Sequence, residues 1–211
     1  MKLYCLSGLG VDKRAFNNIK VSGVELVHID WIKPLPKETL ASYSKRLFEI
    51  INLEDEYNLI GVSFGGMVAA EFAKLKTPNK LFLVSTINSS SELPWLFKFG
   101  AALRLHKVIP SSLMRKSNFM TNYLFGVKQK EDKELLKQIL NDTDPRFLKW
   151  AINAIAHWKN SDKPTGIKIH GSDDKVLPLK TEADYIIDGG GHFMIVTRGR
   201  EISELIEKEI G

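Results

Sequence analysis

Cysteine is almost missing from these 211 residues: Cys5 stands alone, which excludes an internal disulfide and a cysteine-based metal site. Long uncharged apolar runs are missing too. The nearest, residues 93–110, is broken by Lys98, Arg104 and Lys107, so no membrane span is expected. The chain opens on an apparent strand, residues 2–6, with no room for a signal peptide's apolar region and cleavage site. A reduced, cytoplasmic location is the expectation. The basic residues are scattered and no aromatic stacking motif accompanies them, which argues against a nucleic-acid partner. Repeats and low-complexity tracts are absent as well.

What is present fits one compact domain, or one domain with an insertion. The net charge of +5 is unevenly placed. Residues 89–160 hold 12 Lys/Arg against 6 Asp/Glu, leaving the remainder near neutral. Such a surplus suits solvated helix faces, or a basic entrance for an anionic substrate or an acidic carrier protein.

Short apolar runs alternate with helical patterns. Residues 3–6, 24–29, 57–62, 80–85, 166–170 and 183–187 read as buried strands. Helical patterns cover 11–19, 38–53, 64–75, weakly 179–181, and 201–210. Strands without period-2 polarity, alternating with helices, predict an α/β fold: a mostly parallel sheet of about six strands with helices on both faces. Residues 88–160 break the rhythm. Leu135, Leu136, Ile139 and Leu140 form one helical stripe; Phe147, Leu148, Ala151, Ile152 and Ile155 form another, opened by Asp144 and Pro145. We therefore expect a core of residues 1–87 and 161–211 carrying a helical insertion, 88–160, with several aromatics available to shape a substrate pocket.

Between a predicted strand and a predicted helix lies Gly61-Val62-Ser63-Phe64-Gly65. A reactive serine needs its hydroxyl on the outside of a very sharp bend, and flanking glycines permit the close backbone approach. The helix N-terminus leaves the Phe64 amide able to bind a developing oxyanion. Ser7-Gly8-Leu9-Gly10, after the first strand, supplies a second donor in the Leu9 amide. Serine also needs a base oriented by an acid. Of five histidines, His28 reads as strand packing, His106 and His157 as insertion surface, and His170 as a strand-end turn residue. His192 follows Gly189-Gly190-Gly191 in the loop after the last strand, on the same sheet edge as Ser63. The acid falls among Asp173 and Asp174 after the preceding strand, with Asp30 a weaker candidate.

With LSGLG, GVSFGG, HGSDDKVLP and GGGHF in this order, the chain resembles the α/β-hydrolase superfamily over nearly its whole length. The resemblance implies that Asp174, which follows H-G-x-x and precedes V-x-P, is the acid. It implies a triad of Ser63, Asp174 and His192, an oxyanion hole of the Leu9 and Phe64 amides, and a lid formed by the insertion. The chain begins at what would be the family's third strand, so the fold expected is minimal. Ser7-Gly8 replaces the His-Gly of many members. Serine at the nucleophile position speaks against dehalogenation, for which the family uses Asp. The implied activity is that of a serine hydrolase cleaving a small carboxylic ester or acyl thioester through an acyl-enzyme, with no cofactor and no metal. Alternatives are a carbon–carbon bond hydrolase or lyase, or a non-catalytic ligand-binding protein.

Overall fold

The computed structural model describes residues 1–51, 53–54, 56–95, 117–162 and 164–211. Six strands, β1 (Lys2–Leu6), β2 (Glu25–His28), β3 (Asn58–Val62), β4 (Lys80–Val84), β5 (Ile167–Gly171) and β6 (Tyr185–Ile187), form one sheet in the order β2-β1-β3-β4-β5-β6. Every pairing is parallel. The order reverses between β1 and β3, so their carboxyl ends flank a crevice of the kind where open α/β sheets bind ligands.

The strands are apolar throughout because both faces are covered. Leu59, Leu81 and Leu83 point into one core with α1 (Leu40–Ile50) and α2 (Phe64–Leu75). Ile60, Phe82 and Val84, displaced by one residue, point into the other with α6 (Met194–Thr197) and α7 (Gly199–Ile210). Between β4 and β5 come α3 (Phe119–Phe125), α4 (Lys130–Asp142) and α5 (Pro145–Ala156). Asp144 accepts from the Arg146 amide and Pro145 opens α5, the pattern read in the sequence. The α5 stripe enters the first core and the α4 stripe the second, so the insertion packs on both. No helix among the described residues is long and apolar enough to cross a membrane.

Three expectations are corrected. The helix at 11–19 shrinks to a 3-10 turn, Lys13–Phe16, where Asp12 caps the first amides and Asn17-Asn18 favours turning. Residues 179–181 form no helix; the Thr181 hydroxyl instead donates to Glu92 at 2.8 Å. The last helix starts two residues early, at Gly199, preceded by the unforeseen turn α6.

The roots of the insertion are tied down. Ser90 N–H donates to Asn160 O at 2.8 Å, and Asn160 Nδ2 donates to Asn88 O at 2.7 Å. Glu92 forms a 2.6 Å ion pair with Lys168 of β5, both side chains buried. Burial alone would raise the Glu92 carboxyl, but hydrogen bonds from Lys168 and Thr181 outweigh it and hold it below its ordinary range. Removing one partner strands a buried charge, whereas removing both does not. Lys168→Met should therefore lose about 3–5 kcal/mol in urea denaturation, and Lys168→Met with Glu92→Leu should recover most of it. Equal losses in the single and double variants would refute this account of the root.

Candidate active site

β3 delivers the chain into the crevice and α2 leaves it with one residue between them. That residue, Ser63, has φ 51° and ψ −116°, a conformation costing about 1–3 kcal/mol for a side chain other than glycine. Its backbone is held from three sides. Ser63 N–H donates to Val84 O at 3.0 Å, the Thr86 hydroxyl donates to Ser63 O at 2.6 Å, and the Gly66 amide donates to the same oxygen at 3.0 Å. The following turn packs directly on β1. A Cβ at Gly65 would stand 2.2 Å from the Leu6 carbonyl oxygen, so only glycine fits.

The Ser63 hydroxyl meets His192 Nε2 at 2.9 Å, and His192 Nδ1 lies 2.8 Å from Asp174 Oδ2. Nδ1–H donates to the carboxylate, which leaves Nε2 to accept from the Ser63 hydroxyl. Asp174 Oδ1 accepts from the amides of Val176 (2.9 Å) and Leu177 (2.8 Å), and its side chain is fully buried. The loops bearing acid and histidine are welded together: a Cβ at Gly171 would meet the Gly190 carbonyl oxygen at 2.1 Å, and Asp173 N–H donates to that oxygen at 2.9 Å. The Phe125 ring stands edge-on to His192, centroids 5.4 Å apart.

Gly8 comes against the Ser63 side chain, and Leu9 and Phe64 both border the cavity over Ser63. No described group accepts from either amide. The Ser7 hydroxyl donates to Val11 O and closes the 7–11 loop. All five residues singled out in the sequence, Leu9, Ser63, Phe64, Asp174 and His192, thus meet in one place.

The other candidates lie elsewhere. His28 sits on the edge strand β2 against the Phe16 ring, and His157 is exposed at the end of α5. Asp30 is exposed beyond β2, and Asp173 is half-buried and ion-paired to Lys175. His106 falls outside the described residues. Among those residues, no cluster of His, Cys, Asp and Glu could hold a metal ion. Two contributors escaped the sequence reading. Thr86 has no motif to announce it. His170, taken for a turn residue, is buried with Nε2 donating to Leu177 O at 2.8 Å and standing 3.5 Å from Asp174 Oδ2.

No protein-family model and no curated protein sequence matches the chain. Solved structures do. A lipase-esterase related protein from Clostridium acetobutylicum superimposes with a TM-score of 0.75 at 17% identity, over 98% of this chain and 93% of that one. An esterase from Exiguobacterium antarcticum gives 0.74 at 14% identity, over 100% and 91%. The chain has the α/β-hydrolase fold. MenH from S. aureus shares it too, with a TM-score of 0.73 at 16% identity over 98% and 91% of the two chains. In this α/β-hydrolase fold α3, α4 and α5 fall between the fourth and fifth strands, and each contributes a residue to the cavity over Ser63. Identities this low speak to the fold alone, so the chemistry rests on the residues.

His170 generates a pH prediction. Burial pushes its imidazole below its ordinary value, against the opposing pull of Asp174. Lys168 and His192 add to the lowering. The unfolded chain therefore binds more protons at His170 than the native one once the pH falls below about 6.5, and native stability declines there. His170→Gln keeps a donor for Leu177 O and removes the titration. Its stability should fall less steeply than wild type below about pH 6.5, the shared contribution of His28 cancelling in the difference. Parallel stability–pH curves for the two proteins would contradict the prediction.

Proposed function

We propose that the protein is a serine hydrolase of carboxylic esters or acyl thioesters of small molecules. One observation carries the reading: an unbroken Ser63–His192–Asp174 hydrogen-bond chain at a cavity bordered by Leu9 and Phe64, whose amides have no acceptor among the described residues. Ser63 Oγ attacks the carbonyl carbon while His192 Nε2 takes its proton. The carbonyl π-pair moves to oxygen, where the Leu9 and Phe64 amides stabilise it; one such donor contributes about 3–4 kcal/mol to the transition state. Asp174 holds the imidazole in the tautomer this requires and stabilises the imidazolium. The tetrahedral intermediate collapses by breaking the C–O or C–S bond, and the leaving group departs with the proton from His192. Water, deprotonated by His192, then attacks the acyl-enzyme, releasing the acid and restoring Ser63.

The strained serine supports this reading over that of a structural turn or a binding scaffold. Its backbone strain places the hydroxyl opposite the imidazole, and a scaffold that only bound ligand would gain nothing from it. Ser63→Ala should lower ester turnover at least about a thousandfold with an unchanged circular dichroism spectrum, and a fluorophosphonate should label wild type but not the variant. Asp174→Asn, which favours the wrong tautomer, should lower kcat by about 10⁴-fold. Wild-type esterase activity in purified Ser63→Ala would overturn the assignment.

A further inference from the structure

Granting Ser63 as the nucleophile, we infer that the acyl group it accepts is uncharged, apolar and close to a benzene ring in size. The cavity over Ser63 measures about 160 Å³. Met67 of α2, Phe125 of α3, Leu140 of α4, Leu148 and Ile155 of α5, and Leu177 give its walls. Apart from Ser63 and His192, the polar side chain at its lining is Thr121, whose hydroxyl donates to Asn118 Oδ1 at 3.2 Å. None of the described residues lining it carries a formal charge besides what His192 acquires in the reaction.

Size and polarity together define the substrate. A dry cavity of about 150 Å³ lined by Leu, Ile and Phe holds one benzene molecule, so this one suits a phenyl ring or an aliphatic chain of about five carbons beyond the carbonyl. An ionised group entering it would be stripped of water with no counter-charge among the described lining residues to meet it. Three described lysines stand apart from it. Lys128, Lys133 and Lys175 line a different groove, beside Tyr123 of α3, with the Lys175 ammonium 4.9 Å from the centre of that ring and paired to Asp173. Any anionic part of a substrate therefore belongs to the leaving group, and the acyl half is a neutral short aliphatic or aryl acid.

The test uses the full chain with p-nitrophenyl esters from acetate to dodecanoate, the benzoate, and the hemi-ester of glutaric acid, which carries a carboxylate on a pentanoate-length chain. From acetate to hexanoate kcat/KM should rise roughly fourfold per methylene and then fall beyond octanoate. The benzoate should be turned over, and the glutarate ester should be at least about a hundredfold slower than the pentanoate. Leu148→Ala, or Ile155→Ala if the first does not fold, should move the optimum to longer chains. A flat profile, an optimum that neither variant moves, or a glutarate ester within about tenfold of the pentanoate overturns the inference. Labelling rates with alkyl fluorophosphonates of graded length give a second readout that needs no turnover. Labelling at Ser63 without length preference sinks this inference and leaves the nucleophile standing. Absence of both labelling and Ser63-dependent hydrolysis sinks the functional reading, and this inference with it.

Discussion

The backbone of α2 rests directly on the end of β1, and the site is organised around that contact. Where Gly65 passes the Leu6 and Ser7 carbonyls there is no room for a methyl group. This closeness draws the N-terminus of α2 and the 7–11 loop together, which is why Leu9 and Phe64 border one cavity. It also forces strand to become helix within one residue, and Ser63 absorbs the reversal at φ 51°. Val84 O, the Thr86 hydroxyl and an apolar interior on both sides of β3 hold the strained turn in place. Strain of about 1–3 kcal/mol is small beside the burial of that strand and helix, so the fold can carry it.

A second weld joins the other half of the site. Gly171 and Gly190 are in backbone contact, which sets the loops after β5 and β6 side by side. Parallel strands put all their carboxyl ends on one edge, so loops distant in sequence converge there without any long connection. The carboxylate of Asp174 then has its lone pairs assigned. Two backbone amides occupy Oδ1, His192 occupies Oδ2, and His170 stands behind it with its own proton committed to Leu177 O. A buried carboxylate with this many donors keeps one orientation, and the imidazole inherits it.

How far the sequence spoke for itself depends on how local each constraint is. β1, β3 and β4 were legible because burial on both faces writes a continuous apolar run, and the serine turn was legible because its glycines are demanded within a few residues. Residue chemistry alone could not choose between Asp173 and Asp174. The choice follows from a turn that aims the Val176 and Leu177 amides at one carboxylate while Asp173 faces water and Lys175. Thr86 was illegible because it acts across the sheet, on the end of the neighbouring strand, and His170 because its role rests on how the following loop folds back over it, which spacing alone does not signal. The helix expected at 11–19 failed because Asp12 and Asn17-Asn18 outcompete a weak apolar period.

The insertion's charge and the cavity's neutrality have one origin. In α4 and α5 the apolar stripes face inward and the basic side chains lie on the other face, so these two helices present no positive charge to Ser63. The inward stripes serve the cores and the cavity at once, though not at every position. Ile155 belongs to the first core as well as the cavity wall, and shortening it to alanine removes core packing at a cost of about 2–5 kcal/mol. Leu148 is buried against the cavity but belongs to neither packed cluster of the sheet, so its truncation enlarges the acyl site at less cost to the packing on which the sheet depends. Substrate size is therefore set at the seam between insertion and sheet, where a side chain can change with least consequence for the fold.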